Sequence, residues 1–352
     1  MSYLDNIRKV VPYVPGEQPK VEGEIIKLNT NEFPYPPSPM VKEALDLLDE
    51  DTLRLYPNVT AAPIVKALSE YYGFDEDEIF VGVGSDDVLA NCFLTFFNSD
   101  KPIFFPDITY SFYDVWADLY RIPYKLIPLN EKFEIDPEDY IQENGGIVFA
   151  NPNAPTGVNL PLESVEYIIK NNPDSIVIVD EAYVDFGGTS AMGLVRKYEN
   201  LIVVQTFSKS RAAAGMRIGF AVANKTLIKY LNDVKFSINS YTMNQMVIQA
   251  GVAAVKDDEY FKKTVTRVIN TRKWAFDEFV KLGFNVLDSK SNFLFVEHES
   301  KSAREIFEYL KTRNIYVRYF SKARIDNRLR VTVGTDEQMK RLFEVLSEYL
   351  GK

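Results

Sequence analysis

Lys209 and Arg217 stand eight residues apart in "TFSKSRAAAGMRIGF", between the apolar runs "LIVVQ" and "IGFAVA". A lysine between two buried strands is costly, because leaving water disfavours the charged ammonium. Taken singly, Lys209 reads as a solvated loop lysine. Kept dry and near a second cation, the same amine becomes a nucleophile able to condense with an aldehyde. The residues around it decide between the two readings.

Asp180 leaves the wholly apolar run "SIVIVD" three residues before Tyr183 in "DEAY". Such an Asp either caps the next turn or partners a buried cation. "VGVGSDDVL" puts Gly84, Ser85 and Asp86 where a helix begins, and free amides with the positive dipole end favour an anion there. Arg217 can add a bidentate guanidinium to that anion, and Thr206 and Ser208 can add hydroxyls. Tyr110 follows the run "PIFF", and Asn153 lies in "NPNAPTG". An amine, a phosphate cradle, an Asp for a pyridine nitrogen and a phenol for a ring hydroxyl are what pyridoxal 5′-phosphate requires.

These residues can meet only if the elements between them place them on one edge. From about residue 79 apolar strands alternate with helices: strands at 79–83, 103–105, 147–150, 176–179, 202–205 and "IGFAVA", with helices at "DDVLANCFLTFFN", "SFYDVWADLY" and "LESVEYIIKN". Strands apolar on both faces suit a parallel sheet covered by helices on each side, an α/β doubly wound arrangement. Ligands of such sheets sit beyond the carboxyl ends of the strands, where each motif above begins. Ser38 and Pro39 predict a helix start. Helices are expected at 240–255 and about 258–282, then "FNVL", "NFLFVE", a helix near 302–312, "IYVR", "LRVTVG" and a final helix, which suit a smaller α+β part. The expected division is an N-terminal arm and part of the small domain over 1–35, a large domain over 36–255 and a small C-terminal domain over 256–352.

Composition narrows the chemistry. The 352 residues carry a net charge of −10 and no dense basic run, so nucleic acid is not an expected partner. With one cysteine, Cys92, and one histidine, His298, neither an intrachain disulfide nor a Cys- or His-built metal centre is expected. His298 is expected at an exposed strand end. The N-terminus lacks a long apolar core and no stretch approaches a membrane span, so a cytoplasmic protein is expected.

"NPNAPTG", "DEAY", "TFSKSRAAAGMRIGF" and "RLRVTVGT", with "VPYVPG", "IKLNTNEFPYPPSP" and "LRLYP" before them, resemble the fold-type-I aminotransferases, and among these the histidinol-phosphate aminotransferases. The resemblance spans essentially the whole chain. It implies a mostly parallel seven-stranded sheet between helices plus a smaller α+β domain, and a homodimer with active sites at the subunit interface. It implies that Lys209 holds the cofactor and moves the substrate proton, Asp180 pairs with the pyridinium, Tyr183 bonds the ring hydroxyl and Tyr110 stacks on the ring. Gly84, Ser85, Asp86, Thr206, Ser208 and Arg217 would line the phosphate side, with Tyr56 reaching the neighbouring subunit's cofactor. Arg330 would grip the α-carboxylate of glutamate, Tyr13 and Arg318 the phosphate of histidinol phosphate, and Asn31 would also face the substrate. The family usually has Asn immediately before "PTG", where this chain has Ala154. Either Asn153 takes over at the ring hydroxyl, or Tyr183 holds that oxygen alone. The implied reaction joins histidinol phosphate and 2-oxoglutarate to imidazole acetol phosphate and glutamate. The alternatives are an aromatic amino acid aminotransferase, a threonine-phosphate decarboxylase, or a binding protein on this fold that has lost catalysis.

Overall fold

The computed structural model describes residues 2–19 and 23–352. Along the chain come β1 (Ile26–Leu28), α1 (Pro39–Asp46), α2 (Ala62–Tyr72), β2 (Ile79–Gly82), α3 (Ser85–Phe96), β3 (Ile103–Pro106), α4 (Tyr113–Tyr120) and β4 (Tyr124–Ile127). Next are β5 (Gly146–Ala150), α5 (Leu162–Lys170), β6 (Val177–Asp180), β7 (Leu201–Thr206), β8 (Gly219–Ala223), α6 (Lys225–Ile238) and α7 (Gln245–Lys256). The chain closes with α8 (Asp258–Lys281), β9 (Phe284–Val286), β10 (Phe293–His298), α9 (Ala303–Thr312), β11 (Ile315–Tyr319), β12 (Leu329–Thr332) and α10 (Asp336–Leu350).

Seven strands form one sheet in the order β2-β8-β7-β6-β5-β3-β4. Their apolar residues divide by alternation. Val81, Phe104, Ile147, Val179 and Val203 pack with Val41, Ile64, Val165 and Ile248 from α1, α2, α5 and α7. Phe80, Phe105, Val148, Ile178 and Val204 pack with Val88, Trp116 and Ile228 from α3, α4 and α6. Both faces are therefore buried, as the unbroken apolar runs require. Only β8 runs against its neighbours. That reversal matters: the carboxyl end of β7 and the amino end of β8 lie together, at Thr206 opposite Gly219. Arg217, which precedes β8, thereby shares a rim with residues that follow the other strands.

A second sheet, β1-β11-β12-β10-β9, is built from the end of the chain plus Ile26–Leu28, which pairs in parallel with Ile315–Val317. It packs on α8, α9 and α10 through residues such as Phe279, Ile306 and Leu342. Pro39 opens α1 and the Ser38 hydroxyl accepts from the Met40 amide, the N-cap that the sequence predicts.

Three expectations are corrected. The helix expected at 240–255 begins later, at Gln245, where the Asn244 side chain caps the Val247 amide; α6 precedes it. The edge strand β4 escaped notice because only Ile127 of its four residues is buried, so it lacks the apolar run of its neighbours. His298 ends its strand but is buried, not exposed. Its Nε2 faces the Leu282 carbonyl at 3.1 Å and its Nδ1 accepts the Ser300 and Lys301 amides, each at 3.1 Å. A carbonyl can only accept, so the ring proton sits on Nε2.

Candidate active site

The strand ends enclose a cavity of about 130 Å³ lined by Ser85, Asp86, Tyr110, Ala154, Asp180, Tyr183, Thr206, Ser208, Lys209 and Arg217 among others. These residues are spread from position 85 to position 217; the ends of β2, β3, β5, β6 and β7 and the start of β8 bring them to one cavity. One end of the cavity is an anion cradle. Gly84 occupies the N-cap of α3 with φ +85°, and no side chain caps the helix amides there. The left-handed φ calls for glycine, and a Cβ there would stand 2.5 Å from Arg217 Nη2 and push the guanidinium from its place. Arg217 reaches Ser208 Oγ at 3.4 Å, and Ser208 Oγ lies 2.9 Å from Thr206 Oγ1. Open amides, a guanidinium and two hydroxyls suit a phosphate. Asp86 plays a different part in the geometry: its carboxylate accepts from Tyr110 at 2.8 Å and from Arg217 at 3.1 Å, orienting both.

Asp180 lines the same cavity. It is buried, it accepts from the Tyr113 hydroxyl at 2.8 Å and from the Ala182 amide at 3.2 Å, and it forms no ion pair among the described residues. Burial pushes its carboxyl up to about 6, the Asp86 charge adds to the rise, and the Tyr113 and Ala182 donors and Lys209 oppose it. A buried carboxylate lacking a cation beside an open cavity fits a protonated ring nitrogen. Tyr113, the residue that holds it, was missed in the sequence because its pattern there is that of a core aromatic, and it packs as one against Phe93 and Trp116.

Lys209 lines the cavity with Nζ 5.7 Å from the Tyr183 ring centroid. Its loop is tied to the turn after Tyr183, where Ser210 Oγ donates to Asp185 at 2.5 Å. Tyr183 accepts from Asn31 Nδ2 at 2.8 Å, so Asn31 spends its amide on the phenol, not on open space as a substrate contact would. Asn153 is a second correction. Its Nδ2 donates to Ile108 O at 2.9 Å and Thr156 Oγ1 at 3.0 Å, while its Oδ1 accepts from Thr109 at 2.8 Å. The amide braces its own loop, and Ala154 faces the cavity instead.

A larger cavity of about 390 Å³ adjoins the first, with Tyr110 in both walls. Tyr13, Asp107, Ser111, Arg318 and Lys322 line it. Tyr13 stacks on Phe112 at 4.1 Å. Arg318 and Arg330 are directly opposed on the antiparallel strands β11 and β12. Like charges so placed repel unless an anion lies between or beside them. Arg330 Nη2 donates to Asn29 O at 3.0 Å, whereas its buried Nε has no acceptor. Burial holds the Arg330 guanidinium below its ordinary value, and the Arg318 charge acts in the same direction. Tyr56 lies outside both cavities, 81% exposed and stacked on Tyr241 at 4.5 Å.

The residues 23–346 match the model of the family "aminotransferase class I and II". The chain belongs to that family. Over all 352 residues this aminotransferase is 50% identical to a histidinol-phosphate aminotransferase of Clostridium botulinum (strain Okra / Type B1), covering 99% of that protein. It is 49% identical over 350 residues to a histidinol-phosphate aminotransferase of Lactococcus lactis subsp. cremoris (strain MG1363), covering 99% of this chain and 98% of the relative. Its fold matches that of the Sinorhizobium meliloti histidinol-phosphate aminotransferase in complex with pyridoxal 5′-phosphate, with a TM-score of 0.86 at 22% identity over 93% of this chain and 92% of that one. The family is pyridoxal 5′-phosphate dependent, and the buried Asp180, without an ion pair among the described residues, the glycine-lined cradle and Lys209 in the same cavity suit that cofactor.

Proposed function

We propose that this aminotransferase moves the amino group of histidinol phosphate to 2-oxoglutarate, the reverse direction giving histidinol phosphate from imidazole acetol phosphate and glutamate in histidine biosynthesis. Arg318 in the wall of the 390 Å³ cavity, directly opposed by Arg330 on the next strand, carries the reading, because both substrates bring an anionic group that such paired cations would bind. The histidinol-phosphate aminotransferases at 50% and 49% identity support it.

Lys209 would hold the cofactor covalently, Asp180 its ring nitrogen, Tyr183 its ring oxygen and Tyr110 its ring face. Gly84, Ser85, Thr206, Ser208 and Arg217 would hold its phosphate. When bound, the cofactor supplies an electron sink for the carbon that loses its proton. Lys209 Nζ moves that proton at the carbon bearing the amino group. Asp180 would keep the ring nitrogen protonated by offering it a buried carboxylate. Arg330 binds the α-carboxylate of glutamate and Arg318, with Tyr13, the phosphate of histidinol phosphate. The larger division falls at 35/36 and 255/256, which the pairing of Ile26–Leu28 with the small sheet supports.

The proposal includes a cytoplasmic homodimer in which Tyr56 reaches the partner's cofactor, consistent with a phenol displayed to solvent on its own chain. The decisive experiment compares kcat/KM for histidinol phosphate, tyrosine and phenylalanine with 2-oxoglutarate as acceptor. A clear preference for histidinol phosphate is expected. A preference for the aromatic amino acids would replace this reading with the aromatic aminotransferase.

A further inference from the structure

Asn31 is buried, with a left-handed backbone at φ 57°, and it uses every polar group it has. Its amide nitrogen donates to Thr332 Oγ1 at 3.0 Å, and that hydroxyl donates back to Asn31 Oδ1 at 3.2 Å. Its carbonyl accepts from Asn292 Nδ2 at 3.0 Å. The remaining donor, Nδ2, goes to the Tyr183 hydroxyl at 2.8 Å. Three of these bonds hold Asn31 to the small sheet, and the fourth crosses to the cavity of the large one. Thr332 lies two residues beyond Arg330 on β12, so the two side chains leave the same face of that strand.

We propose that Asn31 is a positioning residue: it fixes the Tyr183 phenol and ties it to the strand that carries Arg330. The direction of the bond gives the mechanism. Because Asn31 donates, the Tyr183 oxygen is already an acceptor, and its own proton is directed elsewhere. The elsewhere is the cavity, where an anionic ring oxygen would receive it. Nothing else on that wall performs the task. Ala154 packs beside Tyr183 with only a methyl group, and the Asn153 amide is spent on Ile108, Thr156 and Thr109. The cations facing the phenol, Lys209 and Arg330, act by charge and set no direction for its proton; Asp180 and Asp185 flank it on its own segment.

The inference rests on the cofactor reading above, and its test separates the two. Asn31→Gly deletes the amide while tolerating the left-handed backbone. Wild type, Asn31→Gly and Asn31→Gly/Ala154→Asn are loaded with pyridoxal 5′-phosphate, and the visible absorbance is followed against pH alongside the cofactor Kd. A phenol proton aimed at the ring oxygen favours its ionised form. Losing one neutral hydrogen bond's worth of direction should therefore raise the spectral midpoint by about half a unit to one unit and weaken the Kd about threefold to tenfold. An amide restored on the same wall at position 154 should recover at least half of the midpoint shift. A midpoint and Kd equal to wild type in Asn31→Gly would overturn the proposal. So would a lowered apoprotein melting temperature with an unmoved midpoint, or a shift that Ala154→Asn leaves uncorrected, since both mark a purely structural loss. Wild type that takes up no cofactor would overturn the functional reading instead.

Discussion

Asp180 shows what a single residue states about its missing partner. Its carboxyl ionises near 3.8 in an open chain and near 6 in the fold. Between those values the folded apoprotein keeps a proton that the unfolded chain has lost. Stability from this group is thus complete below about pH 4 and falls away as pH rises through about 6. Asp180→Asn removes the effect, so the variant apoprotein should gain on wild type by on the order of 2–3 kcal/mol between pH 4 and 7. Urea titrations at several pH values check this, and parallel stability curves would refute it. Arg318 makes a statement about substrate. A charge-assisted bond to a phosphate monoester is worth roughly 1.5–3 kcal/mol, so Arg318→Ala should lower kcat/KM for histidinol phosphate about tenfold to a hundredfold. Single-turnover spectra of the two half-reactions should show glutamate suffering less; an intact histidinol phosphate half-reaction would contradict the role. Lys209, Asp180 and Arg217 were legible in sequence because a charged residue at the end of an apolar run is anomalous wherever it occurs. Tyr113 and the Asn31 amide were not, because their partners lie 67 and 152 residues away and their types are ordinary in a core or a loop.

At the scale of elements, one reversed strand completes the cradle. β8 turns Arg217 back to the rim that β2 and β7 already supply, and its first residue presses against the start of α3. A Cβ on Gly219 would lie 2.3 Å from both the Gly84 carbonyl carbon and the Ser85 amide nitrogen. Backbone cannot swing aside as a side-chain tip can. Gly219→Ala should therefore lower the melting temperature and also weaken cofactor affinity by about tenfold or more, since the shift falls on the phosphate amides. Fluorescence titration of the apoprotein with pyridoxal 5′-phosphate measures the second effect; an unchanged affinity would show that the helix start is free to move. The strands β5, β6 and β7 were readable because burial on both faces leaves an unbroken apolar run. β4 was not, since an exposed edge strand has no such constraint on its residues. The break between α6 and α7 hides similarly. Asn239 ends α6 with its backbone N–H on the Lys235 carbonyl, and the Asn244 side chain opens α7 by accepting from the Val247 amide; a capping asparagine looks like any polar surface position until its partner is known.

For the whole molecule, the exposed Tyr56 and Tyr241 stack, with Leu53, Leu55 and Ile238 also open to solvent, gives the dimer proposal its testable form. If Tyr56 serves the partner's cofactor, Lys209→Ala and Tyr56→Ala disable different halves of one site. Each variant alone should be impaired. An equimolar mixture, unfolded and refolded together, should regain about a quarter of wild-type sites, because half the dimers are mixed and each holds one intact pair. Activity equal to the average of the two pure variants would show that each chain works with its own Tyr56.

His298 offers a consequence of a different order. The chain has one imidazole, and it is locked in a single tautomer between Leu282 and the Ser300–Lys301 amides, with its ring edge-on to Phe284 at 4.8 Å. Its magnetic resonance signal is accordingly a solitary, label-free gauge of the small sheet. The visible colour of the bound cofactor is an equally private gauge of the large one. Recorded together during a single denaturant titration, the two would tell whether the sheets surrender at one concentration or in succession.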